Sequence, residues 1–359
     1  MKQFSAATPP ERRLGPADGS MSAQPAQATP QTTPRARGAR GGPWRWLLAA
    51  AGVVLVLNLT LMLWWGWQPD PFDVAEVTRA ELQQSGGEAV PGTAFTAATI
   101  AIGETLLHKP GGFLHNDRLP PGALMKNGPS WECGGVMAIR DAVQALRDGF
   151  SRAQSQSIEN LDVKRADMRF AMDPKAWVLP AAEGSYQEGT EALRAYFADL
   201  ANGRAVFHPR ADSLADYLRM VEKRLGNFGV RLGAAVGGGL APIGIGEGSA
   251  AGAGNPGGDL ESRRVTEVFY CARGYAWSLL HLMRAVEQDF GPMLADKHAE
   301  AQVARIIQDL SGAIKRLRSP VVLNGNGLGF FANHSMVAAS YIARVNAAMI
   351  DLRLLMEQG

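Results

Sequence analysis

The chain is poor in the residue patterns that announce chemistry. Its six histidines, at 108, 115, 208, 281, 298 and 334, are scattered, with no His-Glu-x-x-His and no pair four residues apart. A Cys/His zinc pattern, a phosphate loop, a Gly-x-Ser-x-Gly elbow and an EF-hand loop are all missing. No cofactor and no metal is therefore assigned, and no reaction is named, although catalytic groups can converge from distant segments. Apolar runs of period two are missing too, so little sheet is expected. Beyond residue 67 the chain carries 29 Lys/Arg against 32 Asp/Glu, which offers no basic face for a phosphate backbone and argues against nucleic acid as a partner. Cysteine is nearly absent, with only Cys133 and Cys271.

What is present begins with a long uncharged stretch, Trp46 to Trp67, whose only polar side chains are Asn58 and Thr60. At about 1.5 Å of rise per residue it is about 33 Å long, enough for a hydrocarbon core of about 30 Å. Five of the eight tryptophans (Trp44, Trp46, Trp64, Trp65 and Trp67) stand at its ends, where indoles favour the headgroup layer. Arg35, Arg37, Arg40 and Arg45 precede it, whereas Arg79 follows among Asp70, Asp73, Glu76 and Glu81. The positive-inside rule puts the N-terminus in the cytoplasm and the body of the chain across the membrane. A cleaved signal peptide would have a shorter apolar region and a small-x-small site; here the run ends in WWGWQPDPF, which favours an uncleaved signal-anchor.

The expected organisation follows. Residues 1–43, rich in Pro, Ala, Gln, Ser and Thr, form a disordered cytoplasmic tail, and 44–67 a single-pass transmembrane helix. Residues 68–92 read as a stalk with one short helical patch, and 93–359 as the periplasmic domain. Within it, a helix from Thr93 stops at LHKPGGF, and a long turn-rich loop follows. Apolar residues then recur at spacings of three and four. Examples are Val136–Phe150, Leu214–Leu232, Val265–Phe290, Val303–Leu317 and Val337–Leu355. That is the seam of helices packed lengthwise. The fold class is all-α: one N-terminal transmembrane helix followed by an elongated helical bundle. The Gly-rich run 237–258 lacks the strand and helix a dinucleotide site requires, so it reads as a flexible loop.

Two polar clusters stand out. His115-Asn116-Asp117 lies in the first long loop, ahead of Trp131-Glu132; Asn333-His334-Ser335 precedes the last helix. His115, Asp117, Glu132 and His334 are weak catalytic candidates as acid and base. Asn and Ser before a helix more often cap it, and Asp in a Pro/Gly loop more often makes a turn. Cys133 and Cys271 each sit one residue off an apolar seam. They either form a disulfide, closing a loop of 138 residues if their helices are neighbours, or stay apart as half-buried thiols.

ETLLHKPGGFLHND followed by PPG, then WE, FSRAQSQS, FY-x-ARG-x-x-W, SPVVLNGNG and ANHS-x-V-x-ASYIARVNAAMIDLR form a set of blocks from about Ala97 to Gly359. Together they resemble a bacterial family of single-span inner-membrane proteins known only as a domain of unknown function. The resemblance implies one span and supplies no substrate or catalytic residue. The expected role is a binding or scaffolding protein of the cell envelope, touching the lipid bilayer and engaging envelope proteins or the cell wall. The alternative is an envelope hydrolase acting on a cell-wall or lipid-linked substrate. Assembly into a homo-oligomer through small-residue faces such as Ala338, Ala343 and Ala347 is a third reading.

Overall fold

The structure is a computed structural model, and it describes residues 43–152, 159–236, 258–316, 322 and 333–358. Among these residues there are eleven α-helices and no β-strand, so the all-α fold class holds. The tail 1–42, residues 153–158 from Ala153 of SRAQSQS onward, the glycine run 237–257 and the Gly325–Gly329 turn lie outside the described residues. By internal contacts the chain divides after Ala50, and the bundle belongs to the second unit, Ala51–Gly359.

α1 (Pro43–Trp65) is long and apolar enough to cross a membrane, and its valines and all its leucines but Leu61 are exposed. Beyond Arg45, its polar side chains bond within the helix: Asn58 Nδ2 donates to Val54 O and Thr60 Oγ1 to Val56 O, both at 2.9 Å, with Asn58 Oδ1 left unpaired. Such internal bonding is what a hydrocarbon surrounding demands.

The segment expected as a stalk packs on the bundle. α2 (Val74–Ser85) is capped by the Asp73 carboxylate, which accepts from Ala75 N, and it buries Val74 and Thr78. α3 (Thr93–His108) touches α2 and is buried around most of its circumference. Asp289 caps α3 from a distant part of the chain, accepting from Phe95 N at 2.7 Å. Ahead of α2, the Phe72 ring stacks on His281 with centroids 3.8 Å apart. His281 Nδ1 donates to Trp277 O at 2.7 Å, which leaves Nε2 to accept from Phe72 N at 3.1 Å. Burial pushes the pKa of this imidazole down to about 3, so it is neutral and tied in place.

α4 (Asn127–Ala145) ends in one wider π-turn over Leu146–Phe150, which turns Phe150 into a cluster with Phe95, Phe207 and Phe290. α5 (Leu161–Phe170) and α6 (Ala182–Ala201) pack together and were not legible as seams, because α6 buries Ser185, Gly189 and Thr190 where an apolar stripe would stand. α7 (Ala211–Val236), α8 (Gly258–Asp289), the short α9 (Gly291–Asp296), α10 (Glu300–Ala313) and α11 (His334–Glu357) complete the bundle. α11 lies along α7 and α10, with Val345, Met349 and Leu352 fully covered. At 32 residues, α8 is about 48 Å long and contacts most of the other helices.

α4 and α8 meet at the closest crossing. A Cβ on Gly134 would lie 2.0 Å from Cys271 O, and one on Gly274 would lie 1.9 Å from Trp131 O, so only glycine admits this approach. Beside it the structure pairs Cys133 with Cys271 as a disulfide, their Cα atoms 5.3 Å apart.

Candidate functional site

The α3–α4 loop is built around a buried ion pair. Lys109 follows the last residue of α3 and extends its ammonium to Gly112 O and Glu132 Oε1, both at 2.5 Å. Glu132, on the second turn of α4, is fully buried, and its Oε1 also accepts from Leu114 N at 2.8 Å. Burial pushes its carboxyl up to about 7, against the opposing pull of Lys109. One carboxylate oxygen thus ties the loop at two points, while Oε2 has no hydrogen-bond partner.

The other candidates of this cluster take separate partners. His115 Nδ1 donates to Pro129 O at 2.8 Å, and burial lowers the ring's pKa, so the imidazole is held neutral as a brace between loop and helix. Asn116 Nδ2 donates to Ala176 O at 2.9 Å and Glu183 Oε2 at 3.0 Å. Asp117 is raised above the ordinary carboxylate range by burial and then by the Glu183 charge. Asp117 and Glu183 line one cleft of about 340 Å³ with Phe113 and Gln187; neither His115, Glu132 nor His334 lines it.

The second cluster sits elsewhere. Asn333 Oδ1 accepts from Met336 N at 2.8 Å and caps α11. His334 is half-buried, and desolvation together with the charge of Arg273 lowers its pKa. The four catalytic candidates therefore fall into two places: His115, Asp117 and Glu132 around the α3–α4 loop, and His334 near Arg273 on α8.

Sequence reasoning missed the surroundings of Arg273. This nearly buried guanidinium donates from Nη1 to Ala313 O at 2.9 Å and Lys315 O at 3.0 Å, and from Nη2 to Ile314 O at 2.9 Å. It thereby satisfies the free carbonyls at the end of α10. Nη2 also reaches Gln68 Oε1 at 3.2 Å, tying the chain just beyond α1 to α8. The signal in the sequence was an arginine one position past Ala272 in an apolar seam, inside the FY-x-ARG-x-x-W block.

Among the described residues, no group of three or more His, Cys, Asp or Glu side chains gathers in metal-binding proximity. The class defined so far is an all-α protein with a membrane-length apolar helix and a bundle whose prominent polar residues mostly bind its own backbone. The chain belongs to the bacterial family DUF2333, described as an uncharacterized protein conserved in bacteria, whose model matches residues 39–359. No curated protein and no solved structure matches it.

Proposed function

We propose that the protein is a single-pass protein of the bacterial inner membrane whose bundle, in the periplasm, serves as a binding or scaffolding module of the cell envelope. The observation that carries the binding role is an exposed apolar surface on two loops. Leu119 and Leu124 on one, with Trp177, Val178 and Leu179 on the other, are exposed, Leu179 at 96%. Arg118 lies 5.6 Å from the Trp177 ring centroid, which brings the loops together. Apolar side chains gathered this openly on two adjoining loops favour contact with a partner surface. The arginines ahead of α1 and the acidic residues behind it support the orientation.

The hydrolase reading retains one support, the Asp117–Glu183 cleft, where a carboxyl with a raised pKa meets solvent. It is the weaker reading because His115 is spent on a backbone carbonyl and Glu132 on holding the loop. The direct test places a photo-crosslinking amino acid at Leu119 or Leu179 of the full chain in its native membrane. Adducts with an envelope protein are expected at both positions and not at exposed Arg305. Crosslinks only between copies of the chain would replace the binding role with self-assembly.

A further inference from the structure

A cavity of about 350 Å³ lies between the Gln68–Pro71 segment, α8 and the end of α10. Two residues that line it, Arg273 (5% exposed) and Trp277 (3% exposed), each carry a buried N–H without a hydrogen-bond partner, Nε and Nε1. A buried donor left unmade costs about 1–3 kcal/mol, so an acceptor that these wall side chains can turn toward stabilises the cavity. The charge of the walls says which kind. Arg284 and Lys315 line the cavity and form no ion pair among the described residues. The one acid among its described lining residues, Asp70, is held by both oxygens on Arg316 at 2.7 and 2.8 Å, and Arg316 also lies over the Trp67 ring. Arg273 brings its own charge and is bound to neutral oxygens alone. The lining is therefore net positive, with convergent donors and one neutralised carboxylate.

We propose that this cavity binds a phosphoryl anion, carried by a lipid headgroup or by a soluble phosphate. Guanidinium and ammonium groups around one cavity suit an oxyanion that accepts several charge-assisted hydrogen bonds at once. The volume lies within the range of small-ligand sites, large enough for a headgroup around its phosphate. The lipid source rests on the membrane-anchor reading: the wall begins at Gln68, three residues past the end of α1, which puts the site level with the headgroups of a bilayer that α1 crosses. The Arg273 contacts to the end of α10 are explained by architecture alone; the two unspent N–H groups and the unpaired Arg284 and Lys315 are not.

The test is calorimetric titration of the full chain in a neutral detergent with dioctanoyl phosphatidylglycerol, dioctanoyl phosphatidylcholine and inorganic phosphate. Saturable binding of phosphatidylglycerol is expected, at least about tenfold tighter than phosphatidylcholine, a difference of about 1.4 kcal/mol. Arg284→Gln with Lys315→Gln weakens it at least about tenfold, and Trp277→Phe, which keeps an aromatic side chain and deletes the donor, weakens it several-fold. Arg305→Gln, an exposed cation on α10, leaves it unchanged. Saturable binding of inorganic phosphate with none of phosphatidylglycerol keeps the anion site and assigns it to a soluble ligand. No saturable binding of either, or binding equal in wild type and the double variant, overturns the proposal, and a cavity filled by water gives that result. Equal far-UV circular dichroism shows that the variants fold. The titration needs neither a topology nor a protein partner, so its failure leaves the membrane and scaffolding readings to their own tests.

Discussion

Two polar regions meet α4 at consecutive residues, and they treat buried polar groups in opposite ways. On the Glu132 side a carboxylate and an ammonium neutralise each other, and their remaining bonds go to the backbone of the loop that brings them together. On the Trp131 side, positive groups and N–H donors outnumber acceptors, and the one carboxylate is already taken. The first arrangement balances its own charge, although Glu132 Oε2 takes no hydrogen bond, and it fixes the loop in place. The second is incomplete as it stands, which is how a site awaits a ligand. Candidate residues chosen by chemical type alone fell mostly in the first.

The comparison breaks most severely at the crossing that both regions share. Gly274→Ala, with its Cβ driven into Trp131 O, forces α4 and α8 apart and is expected to cost about 3 kcal/mol in chemical denaturation. A wild-type midpoint would show that the helices part without strain. Next comes the clip beside it. Alkylation of the denatured, unreduced protein is expected to leave both cysteines unmodified, and Cys133→Ser with Cys271→Ser to cost about 2–4 kcal/mol. Two alkylated thiols would remove the clip from the account.

The Glu132 side is sharpened by pH. Its carboxyl titrates near 4.5 when unfolded and near 7 when folded, so between those values the native state holds the proton more tightly. Stability is then highest below about 4.5 and falls as pH rises to 7, by about 3 kcal/mol from this group. Asp289, raised by burial to about 6, slopes the same way over a lower range. Glu132→Gln is expected to flatten the loss between pH 6 and 7 and to leave the Asp289 part. An unchanged slope would mean that Lys109 holds Glu132 ionised throughout. The smallest effect is at the second cluster: Asn333→Ala removes the α11 cap and should cost about 1 kcal/mol. A larger loss would give Asn333 a role beyond the cap.

Legibility in the sequence followed the range of the interactions. α1 was plain because a long uncharged run has few other uses, and α7, α8 and α11 were plain because their buried residues keep a helical period. The 68–92 segment read as a stalk because it packs on parts of the bundle that are distant in sequence, as in the bonds of Phe72 to His281 and Gln68 to Arg273, each more than 200 positions away. α6 was hidden because small and polar residues fill its contact face. The Lys109–Glu132 pair was half visible: Glu132 was singled out and Lys109 was not, since a lysine before Pro110 gives no sign of burial. The cavity was invisible, because an unspent donor is a property of its surroundings and not of its residue type.

The central claim is that α1 threads a bilayer and leaves the bundle outside the cytoplasm. The measurement that tests it most directly joins alkaline phosphatase, active only outside the cytoplasm, after Gly359 of the full chain in bacterial cells. Strong phosphatase activity, with little from a fusion inside the first 40 residues, is the expected result. A silent C-terminal fusion in cells that hold the intact protein would contradict it.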